Sequence, residues 1–276
     1  MIFLLGWHGT GADQCGIIRV DFYRLGDAGM LKALFLDMDE TLCDTRGANL
    51  DAHRRLGDVV RELYQGRADG VQFADGYLSG IYREWSAAQE ARYLPIIESA
   101  GEGTFRIQLI RDLLAEQGID TVSEGIARHL QDQFDHDRLA AFQFYPGIKE
   151  FLIEARRYFT LVVITNGPEF SQLPKIEAVK LRDYVDHILI GGQESEQKPA
   201  ASIFQKALRL ANCEAHEAVH VGDSLVSDIQ GAHNSGITAV WIQHQQPLDA
   251  ELDINPQHTV VYPCEVPDLI RQLHPF

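Results

Sequence analysis

Short apolar runs that end in a polar or glycine-containing turn recur along this chain. They are ALFLDMD at 33–39, LVVITNG at 161–167, HILIGG at 187–192, AVHVGDS at 218–224 and TAVWIQ at 238–243. Apolar runs without polar alternation are typical of strands that are buried on both faces of a parallel sheet. Helix-length segments separate the later runs, and strands that alternate with helices form βαβ units. The sequence therefore predicts an α/β fold with a Rossmann-like, doubly wound parallel sheet, and the tail at 258–276 predicts an edge strand and a closing helix.

The interval between the first and second runs is different, because it spans about a hundred residues and contains no buried-strand run. It consists of helix-length segments at 47–66, 76–94, 103–118 and 122–139. A connection of this length is expected to fold as a unit of its own. We therefore predict an α/β core built from residues 30–44 and 145–276, an inserted α-helical second domain at 45–144, and a loosely attached N-terminal extension at 1–29.

Composition excludes several classes of function. The chain has 276 residues, a formal net charge of -16 and 45% hydrophobic residues, values that fit a globular protein. A protein this acidic lacks the excess of Lys and Arg with which proteins bind nucleic acid or anionic lipid. No apolar run approaches the roughly 20 residues of a membrane span, and the scattered cysteines form no C-x-x-C pair. We expect a cytoplasmic protein, a monomer or small homo-oligomer, that binds neither nucleic acid nor membrane.

Two carboxylates, Asp37 and Asp39, stand at the end of the first apolar run. Strand residues two apart face the same side, so these side chains would repel one another unless a cation or a reacting group lies beside them. Ligands in open α/β sheets bind beyond the carboxyl ends of the strands. The polar residues that follow the other strands, and would meet there, are Thr165, Asn166, Lys198, Asp223 and Asp228. This set is complementary in charge to a divalent metal ion together with a phosphate dianion.

The acidic residues are the candidate metal ligands. A divalent ion that prefers oxygen would be bound by carboxylates from two strands, Asp37 and Asp223. The main-chain carbonyl of Asp39 and a water held by Asp228 would complete the ligand set. The ion would offset the repulsion among these acids.

The remaining chemistry requires a nucleophile, a proton carrier and groups that bind phosphate. Asp37 can attack phosphorus and form an aspartyl phosphate. Asp39 can protonate the leaving alcohol and then accept a proton from the hydrolytic water. Lys198, the Thr165 hydroxyl and Asn166 are the candidate phosphate ligands.

Four segments resemble, in the same order, the four motifs of the haloacid dehalogenase-like hydrolase superfamily. They are D-x-D-x-T at 37–41, the Thr165–Asn166 pair after a strand, Lys198 before a proline, and G-D-x-x-x-x-D at 222–228. The resemblance covers roughly residues 31–275. It implies a Mg²⁺-dependent phosphatase that works through an aspartyl phosphate on Asp37. The inserted helical domain resembles the cap domain of that family, which closes over the substrate.

Within the superfamily, the core sequence looks most like N-acylneuraminate-9-phosphatases and related bacterial phosphatases of sugar phosphates and nucleotides. The resemblance implies a small phosphorylated metabolite as partner, such as the sugar phosphate N-acylneuraminate 9-phosphate. Nucleoside 5'-monophosphate hydrolysis and phosphomutation remain open, because the helical domain would decide between them. Haloacid dehalogenation is disfavoured by Asp39, since a halide leaves without a proton and dehalogenases of this family typically lack an acid there.

Several other side chains could be assigned a functional role, but most of them are expected to have none. Arg106 is the candidate substrate ligand of the helical domain, although Arg106, Arg83 and Arg92 could all be solvated helix charges; an arginine that reached the site would pair with an anionic substrate group such as a carboxylate. His220 reads as a surface or turn residue. Cys43 is expected to fill space rather than act as a nucleophile, because its surroundings are acidic and no histidine lies near it in sequence.

Overall fold

The computed structural model describes residues 31–247 and 252–276, so the predicted extension at 1–29 lies outside the described residues. The strands are β1 (Ala33–Leu36), β2 (Thr160–Thr165), β3 (His187–Ile190), β4 (Ala218–Gly222), β5 (Thr238–Ile242) and β6 (His258–Val260). They form one six-stranded sheet in the order β3-β2-β1-β4-β5-β6, and every neighbouring pair is parallel. The predicted α/β fold and its strand positions are confirmed.

Strand β1 shows why the apolar runs carry no polar alternation. Its side chains alternate between the two faces of the sheet, and both faces are covered. Leu34 and Leu36 belong to the hydrophobic cluster on one face. Ala33 and Phe35 belong to the cluster on the other face. A polar residue at any of these positions would lose its contact with water, so the strand is apolar throughout.

The interval between β1 and β2 is helical, as predicted. It contains α1 (Thr45–Leu63), α2 (Gly70–Ile81), α3 (Ala87–Ala100), α4 (Glu102–Ala115) and α5 (Glu124–Ala141). These helices share a hydrophobic cluster whose buried members run from Ala52 to Phe134, separate from the clusters on the sheet. We call α1–α5 the helical unit. Its division from the core at residues 45 and 144 stays a prediction.

The predicted helix at 76–94 is wrong, because two helices occupy this stretch. Helix α2 stops at Ile81, and Arg83 then adopts a positive φ of 60°, which no helix tolerates. Ser86 begins α3 with a capping box, in which its hydroxyl accepts from the Gln89 amide while the Gln89 side chain accepts from the Ser86 amide. The chain therefore turns between α2 and α3, and both helices pack against α4.

The remaining helices belong to the core. They are α6 (Ile148–Ala155), α7 (Glu169–Ala178), α8 (Ala201–Ala211), α9 (Gly231–Asn234) and α10 (Val266–Leu273), and a π-helical turn, Leu225–Gln230, leads into α9. Helix α7, which follows β2, packs against α5 of the helical unit. Among residues 31–247 and 252–276, none of the helices combines the length and the apolar composition that crossing a bilayer requires.

Candidate active site

The carboxyl ends of three adjacent strands bring the predicted residues to one edge of the sheet. Asp37 directly follows β1, Thr165 is the last residue of β2, and Asp223 directly follows β4. The Asp37 amide donates to the carbonyl of Val221 at 2.9 Å, which extends the pairing of β1 with β4 by one residue. The main chain at Asp37 is therefore held by the sheet, and its side chain starts from a fixed point.

Asp37, Asp223 and Asp228 form a compact acidic cluster. One carboxylate oxygen of each lies within 4.8 Å of the others. Burial raises the pKa of Asp37 to about 7, with Lys198 opposing the shift and Asp228 adding to it. Burial, followed by the charge of Asp37, raises the pKa of Asp223 to about 8. Buried carboxylates that repel each other in this way are the donor set that a hard divalent cation prefers, so the residues fit Mg²⁺.

Lys198 is the cation that the chain itself supplies to this cluster. Its Nζ lies 2.6 Å from Asp37 Oδ1 and 2.7 Å from Asp228 Oδ1. All three side chains are buried, so these ion pairs are not screened by water. Burial lowers the pKa of Lys198, but Asp228 and Asp37 outweigh it, so that the pKa is raised and the lysine stays charged.

Asp228 is held by hydrogen-bond donors besides Lys198. Besides Lys198, it accepts from the Ser224 amide at 3.0 Å, and His220 Nε2 lies 2.9 Å from Oδ1. Burial raises the pKa of Asp228, but Lys198 and His220 outweigh this effect and lower it. A Cβ at Gly222 would lie 2.2 Å from Asp228 Cγ, so this position has no room for a side chain. The expectation for His220 is wrong, because its ring is fully buried in β4.

Asn166, in the second predicted motif, binds the main chain of Lys198. The Asn166 amide group donates to the Lys198 carbonyl at 2.9 Å, and the Lys198 amide donates to Asn166 Oδ1 at 3.0 Å. Asn166 was predicted to bind phosphate, but these main-chain contacts occupy its side chain and fix the position of the lysine. The Thr165 hydroxyl is buried and accepts from Gln172 Nε2 at 2.8 Å.

Asp39 lies outside the acidic cluster, and its carboxylate is bound by other donors. Oδ1 accepts from the Thr45 hydroxyl at 2.5 Å and from Lys175 Nζ at 2.9 Å. Oδ2 accepts from Gln172 Nε2 at 2.9 Å and from Lys175 Nζ at 3.0 Å. Burial raises the pKa of Asp39, but Lys175 and these hydrogen bonds outweigh it and lower the pKa. The predicted metal contact through the Asp39 carbonyl stays a prediction.

Lys175 and Gln172 were missed at the sequence level. Both lie on α7, one turn apart, so their side chains emerge on the same face. Both are buried, although lysine and glutamine usually face water. The only sequence signal is their position in the helix that follows Thr165, which a search for strand ends does not examine.

A cavity of about 700 Å³ opens between the helical unit and the core. Among its lining residues are Arg83, Arg106, Arg138, Phe170, Lys175 and Gln197. Lys175 thus contacts Asp39 on one side and the cavity on the other. Its four cationic side chains outnumber its two carboxylates, Glu102 and Asp135, and it has room for more than a phosphate group.

The helical-unit arginines differ sharply in exposure. The side chain of Arg92 is 56% exposed, so the expectation of a solvated charge holds for it, whereas Arg83, which is 52% exposed, lines the cavity. The same expectation is wrong for Arg106, which is only 11% exposed. Arg106 donates two parallel hydrogen bonds of 2.8 Å to Asp135 and one of 2.9 Å to the Tyr77 hydroxyl. It therefore faces the cavity in a fixed orientation.

Arg138 is less well paired than Arg106. It shares Asp135 with Arg106, at a distance of 3.8 Å, so two guanidinium groups face one carboxylate. Within the described part of the chain, the buried Arg138 Nε has no hydrogen-bond partner. At this end of the cavity two guanidinium groups therefore share one carboxylate, which leaves an excess of positive charge.

Cys43 behaves as the sequence predicts. Its side chain is buried, and burial raises the pKa of the thiol far above its usual value, with Asp39 adding to the shift. A thiol that does not ionise is a poor nucleophile. Cys43 is therefore not an alternative nucleophile to Asp37.

Residues 31–236 match the haloacid dehalogenase-like hydrolase family. N-acylneuraminate-9-phosphatase of Rattus norvegicus is 28% identical over 244 residues, which cover 88% of this chain and 95% of that protein. Glyceraldehyde 3-phosphate phosphatase of Pyrococcus abyssi (strain GE5 / Orsay) is 30% identical over 217 residues, 78% of this chain and 82% of that protein. The structure of the HAD-hydrolase YfnB from Bacillus subtilis, bound to magnesium, has a TM-score of 0.61 at 20% identity and covers 87% of this chain and 99% of its own. The last likeness shows the fold alone, and the resemblance carried by the four motifs is confirmed.

Proposed function

The chain belongs to the haloacid dehalogenase-like hydrolase family and is a phosphatase, and we propose that it uses Mg²⁺ to hydrolyse a small sugar phosphate through an aspartyl phosphate on Asp37. The observation that carries the proposal is the buried contact of Asp37 with Lys198, 2.6 Å long, inside a cluster of carboxylates at the strand ends. A nucleophile that is paired with a cation and placed beside a metal-binding cluster suits attack on an anionic phosphate. The helical unit would act as the cap over this site, and the enzyme would work in the cytoplasm.

The proposed metal ligands are Asp37, Asp223 and Asp228, with the main-chain carbonyl of Asp39. When bound, Mg²⁺ would supply positive charge to the phosphoryl oxygens and to the acids around them. Lys198 would supply a second positive charge to Asp37 and to the phosphoryl group.

The proposed reaction has two steps. In the first, an oxygen of Asp37 attacks phosphorus, the bond from phosphorus to the substrate oxygen breaks, and the leaving alkoxide takes a proton from the protonated form of Asp39. That form is the minor one in the free enzyme, because burial raises the pKa of Asp39 but Lys175 and its hydrogen bonds outweigh burial. In the second, water attacks phosphorus, the bond to Asp37 breaks, and Asp39 accepts the proton of the water. The Thr165 hydroxyl would bind a phosphoryl oxygen, and Asn166 would keep Lys198 in place.

The substrate that we propose carries a second acidic group, as N-acylneuraminate 9-phosphate does with its carboxylate. The support is the cation-rich cavity, in which Arg106 and Arg138 share the single carboxylate of Asp135. A carboxylate in the cavity would use this spare charge. N-acylneuraminate-9-phosphatase of Rattus norvegicus acts, by its name, on such a compound.

A nucleophile variant tests the mechanism. Asp37→Asn is expected to lower kcat/KM by at least about 10³-fold, because an amide cannot attack phosphorus. The measurement is released phosphate with Mg²⁺ present, and in parallel the radiolabelled phosphoenzyme after acid quenching. Asp268→Asn, on an exposed side chain of α10, is the matched control and should behave as the wild-type enzyme does. Normal turnover by Asp37→Asn, or turnover that is unaffected by a chelator, would refute the proposal.

A substrate panel tests the proposed class. It contains N-acylneuraminate 9-phosphate, glyceraldehyde 3-phosphate, a hexose phosphate whose only charged group is the phosphate, and nucleoside 5'-monophosphates. We expect the highest kcat/KM for the substrate that bears a carboxylate. Preference for a nucleotide would instead support the nucleotidase alternative, and phosphoryl transfer to a second sugar in place of phosphate release would support a phosphomutase.

A further inference from the structure

We propose that Glu40 is a positioning residue that ties the turn after β1 to both connections between the core and the helical unit, and thereby fixes the spacing between the phosphate site and the cavity. This inference rests on the proposed function, in which the core binds the phosphate of the substrate and the cavity binds its second acidic group. Glu40 lies inside the D-x-D-x-T motif, between Asp39 and Thr41, and no step of the proposed reaction uses its side chain.

Two short segments join the core to the helical unit, and they run side by side. Residues 37–44 lead from β1 to α1, and residues 142–147 lead from α5 to α6. The Asp44 amide donates to the Gln143 carbonyl at 3.0 Å, and the Tyr145 amide donates to the Leu42 carbonyl at 2.9 Å. The chain enters and leaves the helical unit through these segments, so a rotation of the unit against the sheet must bend both of them.

The carboxylate of Glu40 contacts both sides of this junction. Oε1 accepts from the Arg46 amide in the first turn of α1 at 2.6 Å, and Oε2 accepts from the Tyr145 hydroxyl at 2.9 Å. The first amides of a helix have no partner inside it, and a carboxylate is favoured at that end. Burial, followed by the charge of Glu40, raises the pKa of Tyr145, so its hydroxyl keeps its proton and remains a donor. We call these two contacts the Glu40 tether.

The backbone of Glu40 adopts a conformation that suits glycine better than glutamate. Its φ is 57°, in the left-handed region, where residues other than glycine are strained. Its carbonyl accepts from His244 Nε2 at 2.5 Å, and the His244 ring lies 5.9 Å from the ring of Tyr145. A glycine would relieve the strain but could not contact Arg46 and Tyr145. The side chain of Glu40 is therefore what this position gains in return for the strain.

A substrate that is bound at both ends is sensitive to the spacing of its two sites. In the proposed function its phosphate lies beside Asp37 and Lys198, and its second acidic group lies beside Arg106 and Arg138. Without the tether, the substrate itself would have to fix the position of the helical unit, which weakens binding and misplaces the phosphate ester. A small aryl phosphate has no second acidic group, so the loss of the tether should affect it less.

The test compares N-acylneuraminate 9-phosphate with p-nitrophenyl phosphate. Glu40→Gly removes the tether and suits the backbone conformation, so this variant is expected to fold. We expect the ratio of the two kcat/KM values, the first substrate over the second, to fall by about 10-fold. Both substrates are assayed at saturating Mg²⁺, because the charge of Glu40 also acts on Asp223 in the metal-binding cluster. The loss of that charge affects both substrates alike and cancels in the ratio.

Matched variants separate the tether from the backbone and from the charge. Gln65→Gly replaces an exposed residue whose φ is 52°, just beyond α1, and should leave the ratio unchanged. Glu40→Gln retains an acceptor for one of the two contacts and should recover part of the ratio. Tyr145→Phe removes the hydroxyl alone and should lower the ratio by about 3-fold. In the Glu40→Gly background it should change the ratio by less than about 2-fold, since the carboxylate that binds the hydroxyl is gone.

Arg138→Gln distinguishes a failure of this inference from a failure of the proposed substrate class. If Arg138→Gln lowers the ratio but Glu40→Gly lowers kcat/KM equally for both substrates or for neither, only the present inference is overturned. If Arg138→Gln leaves the ratio unchanged, the proposed recognition of a second acidic group fails; a ratio that Glu40→Gly still lowers would then support the tether, and an unchanged ratio would overturn both. Loss in Glu40→Gln equal to that in Glu40→Gly, or an undiminished effect of Tyr145→Phe in the double variant, would overturn the tether as well.

Discussion

Two groups of ion-paired side chains, one centred on a lysine in the core and one on two arginines in the helical unit, show how differently the two regions use charge. In the core, Lys198 faces two carboxylates, Asp37 and Asp228, and all three side chains are shielded from water. In the helical unit, two arginines face one carboxylate, Asp135, at the wall of a cavity. The core group has acid to spare and suits a metal cation, whereas the helical group has cation to spare and suits an anionic ligand.

The largest expected effect is on folding, from removing the central cation of each group. Lys198→Met would leave Asp37 and Asp228 buried without it, which should cost about 3–5 kcal/mol in the free energy of unfolding. Arg106→Met should cost only about 1–2 kcal/mol, because Asp135 keeps contact with water and with Arg138. Urea unfolding of both variants in the presence of a chelator measures the difference. Equal losses in the free energy of unfolding would contradict the expectation that the more deeply buried ion pairs are costlier to break.

An intermediate effect is expected from pH, and only the core should produce it. Burial raises the pKa of Asp37 to about 7 and of Asp223 to about 8, above the value of about 4 that carboxylates have in an unfolded chain. The folded state therefore binds more protons between about pH 4 and pH 8, and the free energy of unfolding should fall as the pH rises through this window, by up to about 1.4 kcal/mol per pH unit for each group.

Urea unfolding between pH 5 and pH 8 without divalent cations measures this slope. Asp223→Asn should reduce the slope, and Mg²⁺ should restore stability at the high end, where the acids are ionised. Asp228 does not add to the slope, because its pKa is lowered and it stays ionised throughout the window. His220 and His258 add an opposite slope below about pH 7, because burial lowers their pKa and the unfolded chain binds more protons there. Stability that rises between pH 7 and pH 8 in the chelated protein would contradict the assignment of a raised pKa to the cluster.

The smallest expected effect is on substrate affinity, from the spare charge of the helical group. Arg138→Gln should raise KM about 10-fold, or 1.4 kcal/mol, for a substrate that carries a carboxylate. It should leave kcat unchanged and have no effect on a sugar phosphate whose only charged group is the phosphate. Arg92→Gln changes an exposed arginine outside the cavity and is the matched control. An equal rise in KM for both substrates would show that Arg138 shapes the cavity without recognising an acid.

The sheet and its catalytic edge could be read from the sequence for a physical reason. A strand that is buried on both faces must be apolar throughout, so the first polar residue after it marks the edge where ligands bind. Asp37 and Asp223 stand at such points, and the structure brings them together. Strand β4 contains an exception to this rule, because the polar residue His220 lies inside its apolar run and is buried. Its partner there is Asp228.

The residues that sequence reasoning missed depend on contacts between distant segments. Lys175 lies in a helix with no motif of its own, and its partner Asp39 is 136 positions away. In the sequence Arg106 looks like any solvated helix charge, and its partners Asp135 and Tyr77 become visible only in the structure. The break between α2 and α3 was different, because the Ser86 and Gln89 pair is a local capping signal that could have been recognised.

The hydrogen bond from the Asp37 amide to the Val221 carbonyl has a consequence for inactivation. Freeing the backbone at Asp37 requires β1 to separate from β4 in the middle of the sheet, which is among the last regions of such a fold to open. Fraying of loops or of the helical unit can weaken substrate binding while the nucleophile stays in place. On heating, affinity for the substrate should therefore decline before the capacity for phosphoryl transfer, and that capacity should disappear only with global unfolding.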